Sequence, residues 1–190
     1  MRIEGSLHDE IDRVLFSEDE ILREIQRVAG EITRAYSGLE FTVVSVLKGS
    51  CIFAADLVRK IPLPLSLSFV SAESYHAGTV AGALSLRWLH ADEEICGRHV
   101  LLVDDIVDSG STLSAIRDEL VRLGAFEIRT CVFLDKPARR KVALTIDFRC
   151  FEVEDVFVVG YGLDHAGRHR NLPFVASLRS GTSVAAAPRE

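Results

Sequence analysis

Apolar positions recur along the chain with two periods, one helical and one extended. Ile21, Leu22, Ile25, Val28, Ala29 and Ile32 fall three and four residues apart, which places them on one face of a helix. Ser17 and Glu20 stand just ahead of that run as a capping box, and the helix is expected to end near Gly38. It reads as a packing element. Residues 41–47 follow as a buried strand that breaks at Lys48-Gly49-Ser50, before a second helix through Leu57. Leu65, Leu67 and Phe69 alternate with Ser66 and Ser68, the pattern of a strand with one polar face. A small, glycine-containing stretch, 74–82, separates it from another alternation at Leu84, Leu86 and Trp88. Residues 100–103 form a continuous apolar run after Gly97, as in a strand covered on both faces of a parallel sheet. From Thr112 the helical period returns, with Leu113, Ile116, Leu120 and Leu123 on one stripe and Gly124 as the stop. Residues 128–134 read as another buried strand and 156–159 as the last. The repeated strand–turn–helix unit predicts an α/β fold.

Length narrows this to one well-cored domain, since 190 residues are short for two. No apolar run approaches twenty residues, so no membrane span is expected. Met1-Arg2-Ile3-Glu4-Gly5 lacks the apolar core of a signal peptide. The four cysteines, at 51, 96, 131 and 150, are widely spaced in apolar surroundings. They are expected to be reduced, buried thiols of a cytoplasmic protein rather than disulfides or a zinc site. A net charge of −6 argues against nucleic-acid binding, and means that local cations and metal must attract any polyanionic substrate.

The candidate chemistry gathers between the strand at 100–103 and the helix from Thr112. Three carboxylates, Asp104, Asp105 and Asp108, precede Ser109-Gly110-Ser111-Thr112. In an open α/β sheet, ligands bind at the carboxyl ends of the strands. Backbone amides at a helix N-terminus, with a glycine to admit the ligand, make an anion site. The hydroxyls of Ser109, Ser111 and Thr112 add donors for phosphate oxygens. A bare phosphate would be repelled by three acids, so the acids need other partners. Asp104 and Asp105 suit a ribose diol or a magnesium ion, and neighbours in an extended strand face opposite ways, so at most one reaches the diol unless the strand has ended. Asp108 is placed to exchange a proton. A sugar phosphate with a reacting ring carbon satisfies all three roles; a solvated acidic turn capping a helix is the plainer alternative.

Val103-Asp104-Asp105-Ile106-Val107-Asp108-Ser109-Gly110-Ser111-Thr112 resembles the phosphoribosyl-pyrophosphate signature of the type I phosphoribosyltransferases, and other segments are similar to their hypoxanthine-guanine branch. Val46-Leu47-Lys48-Gly49, with Phe53 and Ala55-Asp56-Leu57, resembles the pyrophosphate loop; taken alone, a Lys-Gly after a strand reads as a surface turn. The resemblance therefore sets Lys48 and the Gly49 amide on pyrophosphate, after a peptide bond that in the family is often cis. Ser74 and Tyr75 match a pair on a mobile lid that closes over the reaction, although this loop lacks charged residues between Ser74 and Arg87. Lys136 matches the lysine that donates to the purine C6 oxygen, while Arg139, Arg140 and Lys141 beside it read as a solvated basic loop. Phe157, by default a core aromatic, matches the ring that stacks on the base, and the Val158 backbone would bond the base edge. Asp164 matches an acid near the pyrophosphate magnesium and purine C2, and Arg170 the arginine that binds pyrophosphate.

The resemblance spans about residues 10–180. It implies the type I phosphoribosyltransferase fold: a central, mostly parallel sheet flanked by helices, with the lid and a small base-binding hood. Residues 1–180 would form that single domain and 181–190 a disordered tail. It further implies transfer of the phosphoribosyl group to hypoxanthine or guanine, giving a nucleoside monophosphate and pyrophosphate. Mg2+ would be the cofactor, near Asp104, Asp105 and Asp164, in a homodimer or homotetramer. Asp108 would be the general base. Asp104 stands where relatives usually have glutamate, and Ser111 at a variable position. The rival readings are a regulator that binds phosphoribosyl pyrophosphate as a signal, and a transferase preferring xanthine or a pyrimidine. The regulator would need a nucleic-acid surface for which this acidic chain has no spare segment.

Overall fold

The computed structural model describes residues 10–74, 84–89 and 92–179. Chain order is β1 (Ile11–Phe16), α1 (Glu18–Ala35), β2 (Phe41–Leu47), α2 (Cys51–Val58), β3 (Ser66–Ser74), β4 (Leu84–Leu89), α3 (Asp92–Ile95), β5 (His99–Val107), α4 (Ser111–Arg122), β6 (Glu127–Asp135), a 3-10 turn (Pro137–Arg139), β7 (Phe148–Glu152), β8 (Val158–Val159) and β9 (Val175–Leu178). Six strands form one sheet in the order β4-β3-β2-β5-β6-β7. All its pairings are parallel except β3 with β4. A three-stranded antiparallel sheet, β1-β9-β8, stands apart from it.

The continuous apolar run of β5 follows from its place at the centre of the sheet. Leu101 and Val103 pack with Ile21, Ile25 and Ile32 of α1 and Phe53 and Leu57 of α2. Val100 and Leu102, one residue out of phase, pack on the other face with Leu113, Ile116 and Leu120 of α4. The capping box of α1 is formed, the Ser17 amide donating to Glu20 Oε2 at 2.8 Å and the Glu20 amide to Ser17 Oγ at 3.4 Å. Helix α4 begins at Ser111, one residue early, behind Gly110 at φ 84°, and Gly124 at φ 84° follows its end.

Several expectations are corrected. β5 continues to Val107, so Asp104 and Asp105 lie inside the strand rather than after it. The strand at 156–159 shrinks to Val158–Val159, joins the small sheet and is not the last. β1, β7 and β9 carry no prior expectation. In β3 the faces are reversed: Ser68 is buried, its hydroxyl donating to the Leu89 carbonyl at 3.1 Å, while Leu67 is 39% exposed. Alternation fixes which residues share a face, not which face is covered. Cys131 and Cys150 are buried, but Cys51 and Cys96 are exposed, at the start of α2 and just after α3. No disulfide joins the four. Among the described residues no helix is long and apolar enough to cross a membrane. Tyr75, the rest of the expected lid and the tail at 181–190 lie outside the described residues; Ser74 ends β3, opposite Leu84.

Candidate active site

Strands β2, β5 and β6 end side by side, and a cavity of about 240 Å³ opens at their carboxyl ends, lined by Val46, Asp104, Asp105, Asp108, Gly110 and Thr112 among others. The strand period sends Asp104 to the face that carries Val100 and Leu102, and Asp105 to the face of Leu101 and Val103. Asp104 Oδ1 accepts from the Asp105 amide at 3.0 Å. Burial, and for Asp104 also the neighbouring charge of Asp105, pushes both carboxyls above the usual carboxylate range, Asp104 well above. The Arg170 guanidinium pulls Asp105 back in part. Neither acid makes an ion pair among the described residues. Buried Asp104 and half-buried Asp105 both line the cavity without an ion pair, and either fits as a hard-oxygen ligand of a magnesium ion.

Asp105 meets the loop after β2. A Cβ on Gly49 would fall 1.7 Å from Asp105 Oδ2, and one on Gly162 would fall 2.2 Å from the Gly49 carbonyl. Glycine at both positions lets three backbone segments close on one point. The peptide bond Leu47-Lys48 is cis, and Lys48 is exposed. Arg170 reaches the same place: its guanidinium donates to the Gly162 carbonyl and pairs with Asp164 at 2.6 Å. Asp164 also accepts from the Gly167 amide at 2.8 Å. Gly49, Asp105, Gly162, Asp164 and Arg170, scattered in sequence, thus meet beside the cavity, which Asp105 lines, and Lys48 directly precedes Gly49.

The turn between β5 and α4 forms one edge of the cavity. Ser109 Oγ donates to Ser111 Oγ at 3.2 Å, and the first amides of α4, including that of Thr112, have no intrahelical acceptor. Asp108 Oδ1 is buried and takes no hydrogen bond among the described residues, although Arg139 Nε lies 3.4 Å away. That arginine also lies 3.4 Å from Asp155.

Lys136 leaves the end of β6 buried, at 5% exposure, with its Nζ donating to the Val156 carbonyl at 2.7 Å. Burial pulls its pKa down, while Asp108 and Asp155 push it back up. Phe157 is not core but 56% exposed, its ring edge-to-face with His165 at 5.1 Å between centroids. Val158 is buried in β8, the edge strand of the small sheet.

Sequence reasoning missed Arg139, Arg140, Asp135, Gly162 and His165. Of the basic run, Arg139 and Lys141 are exposed as expected, Arg139 lying 3.4 Å from both Asp108 and Asp155, whereas Arg140 is half-buried and pairs with buried Asp135. Asp135 immediately ahead of the run was the available signal. Among the described residues no three carboxylate, histidine or cysteine side chains converge as a metal cluster, so a magnesium ion here would take one or two carboxylates and complete its shell from a phosphate-bearing ligand.

Residues 15–166 match the family described as Phosphoribosyl transferase domain. The hypoxanthine-guanine phosphoribosyltransferase of Streptococcus pneumoniae R6 is 38% identical over 173 residues, 91% of this chain and 96% of that protein. The Bacillus subtilis hypoxanthine-guanine phosphoribosyltransferase is 40% identical over 172 residues, 90% of this chain and 95% of that protein. Among solved structures, a Bacillus anthracis hypoxanthine-guanine phosphoribosyltransferase superposes with a TM-score of 0.81 at 40% identity, over 90% of this chain and 99% of that one.

Proposed function

The chain belongs to the hypoxanthine-guanine phosphoribosyltransferase family of type I phosphoribosyltransferases, enzymes of purine salvage, and on that premise we propose the part each residue of the cavity plays. One observation carries the reading. Asp108 offers a buried carboxylate oxygen without a hydrogen bond, and buried Lys136, close enough to feel its charge, offers ammonium donors. Acceptor and donor side by side suit the adjacent N7–H and C6 oxygen of a 6-oxopurine. The exposed Phe157 ring beside them is free to stack on the base, and β8 presents Val158 at a sheet edge.

The ribose 5′-phosphate sits on the turn Ser109-Gly110-Ser111-Thr112, against the N-terminus of α4. Asp104 and Asp105 reach the cavity from opposite faces of the strand, so one of them serves the ribose diol. Lys48, the Gly49 amide and Arg170 hold the pyrophosphate. As pyrophosphate leaves C1′ the ribose gains positive character, so catalysis is mainly positioning and charge stabilisation. Asp104, Asp105 or Asp164 would hold a magnesium ion, which would supply neutralisation of the leaving group. Asp108 takes the N7 proton as the new glycosidic bond forms at N9. Ser74 and Tyr75 are assigned to a lid that excludes water from the activated sugar.

Pyrophosphate release, measured with phosphoribosyl pyrophosphate, Mg2+ and in turn hypoxanthine, guanine, xanthine, adenine and uracil, tests the assignment. Hypoxanthine and guanine should support turnover. Turnover confined to xanthine or uracil would replace the substrate reading. Binding of phosphoribosyl pyrophosphate without turnover on any base would favour the regulator.

A further inference from the structure

The turn that cradles the phosphate has its carbonyls tied away on the far side. The Val107 carbonyl accepts from the Lys136 amide at 3.0 Å, and the Gly110 carbonyl from the Ser114 amide at 2.9 Å. The Ser109 carbonyl accepts from the amides of both Lys141 and Val142, at 2.9 and 3.1 Å. Only the Asp108 carbonyl depends on a side chain: Arg140 Nε donates to it at 3.3 Å. The same arginine lies over Gly110, where a Cβ would fall 3.0 Å from Arg140 Cδ. Its Nη2 donates to Asp135, which is 4% exposed and also accepts from Arg149 on β7 at 2.9 Å. Asp135 in turn sits opposite Val107 in the β5–β6 register.

This arrangement has an electrostatic consequence. A phosphate dianion is welcomed by amide N–H groups and repelled by a carbonyl oxygen turned towards it. Two of the five N–H donors of Arg140 are committed to Asp135 and to the Asp108 carbonyl, and it shares the Asp135 charge with Arg149, so the contacts it makes are to the support of the turn. We propose that Arg140, braced by Asp135, is a positioning residue that holds the Asp108 carbonyl outward and keeps the 5′-phosphate cradle in its binding form. The proposal rests on the reading of that turn as the 5′-phosphate site.

The test compares inhibition by inosine monophosphate, which carries the 5′-phosphate, with inhibition by pyrophosphate, held at Lys48 and Gly49. Losing a hydrogen bond to a charged group weakens binding about tenfold or more. In Arg140→Ala the KM for phosphoribosyl pyrophosphate and the inhibition constant of inosine monophosphate should rise by about that factor, while the constant for pyrophosphate and the KM for hypoxanthine stay within about twofold. Asp135→Asn should give the same split more weakly, and Arg140→Lys, which keeps the charge but not the two-directional fork, should recover only part. Thermal melting checks that each variant is folded; if Arg140→Ala is not, the split is read from Arg140→Lys. Equal weakening of both inhibitors, or no weakening, overturns the proposal. So does loss in Arg140→Ala with a silent Asp135→Asn, because Arg140 would then touch phosphate directly. A wild type insensitive to inosine monophosphate would instead overturn the reading of the turn.

Discussion

Replacing Lys136 by glutamine should erode the enzyme's preference for 6-oxopurines over adenine. Lys136 is buried with one of its donors on the Val156 carbonyl at 2.7 Å, which leaves two for a ligand. An ammonium has no acceptor, so it satisfies the C6 oxygen of hypoxanthine or guanine and opposes the C6 amine of adenine. An unmade hydrogen bond to a charged group costs about 1.5–3 kcal/mol, and each 1.4 kcal/mol is tenfold, so this contact alone gives roughly ten- to a hundredfold discrimination. Glutamine offers both a donor and an acceptor and no charge. In Lys136→Gln the ratio of kcat/KM for hypoxanthine over adenine should fall about tenfold, chiefly through a loss on hypoxanthine. Protonation gives a second reading of the same contact. Burial lowers the pKa of Lys136, so the charged ammonium is present at low pH and gives way, as pH rises through a value below the ordinary lysine range, to a neutral amine with one donor fewer and a lone pair. The hypoxanthine KM should rise along that limb in the wild type and lack it in Lys136→Gln. An unchanged base ratio in the variant would remove Lys136 from the reading of position 6.

Gly49→Ala forces a Cβ to 1.7 Å from Asp105 Oδ2, and with overpacking costing roughly 1–3 kcal/mol it should raise the KM for phosphoribosyl pyrophosphate about tenfold in steady-state assays. Ser17→Ala removes the capping box of α1 at a cost of about 1 kcal/mol, and calorimetry should show the melting temperature lower by about 2–4 °C with kcat/KM unchanged. A thiol reagent should modify Cys51 and Cys96 promptly in the native protein, whereas Cys131 and Cys150 should react only after unfolding, since burial pushes both thiols up, Cys150 to about 12.

What the sequence made legible was whatever is specified by neighbours in the chain. Ser17 and Glu20 bond each other three residues apart, and Leu113, Ile116 and Leu120 share a stripe, so α1 and α4 could be placed from local pattern. β5 was visible because its stretch 100–103, covered on both faces, is apolar at every position. β1 and β9 were not, because each is short and gains its ladder from distant segments, Ile11 of β1 standing against Leu178 of β9 at the far end of the chain. β7 alternates at too few positions to announce itself between β6 and the hood.

The candidate site divides along the same line. The turn proposed for the 5′-phosphate is one contiguous segment, so a local pattern was enough to single it out. Resemblance supplied Lys48, Lys136, Phe157, Asp164 and Arg170, whose proximity is a product of folding. The supporting contacts of Arg139, Arg140 and Asp135 escaped both, since a run of basic residues looks solvated until the buried Asp135 beside it is seen.

The central claim is that Asp108 moves the purine proton, and turnover of Asp108→Asn tests it most directly. The amide keeps the size of the carboxyl group and the neighbouring phosphate turn, but cannot act as the base. General-base contributions run roughly 10²–10⁴, so kcat with saturating hypoxanthine and phosphoribosyl pyrophosphate should fall at least about tenfold while inosine monophosphate still binds. A variant that turns over near the wild-type rate would contradict the account and return the buried Asp108 oxygen to a purely structural role.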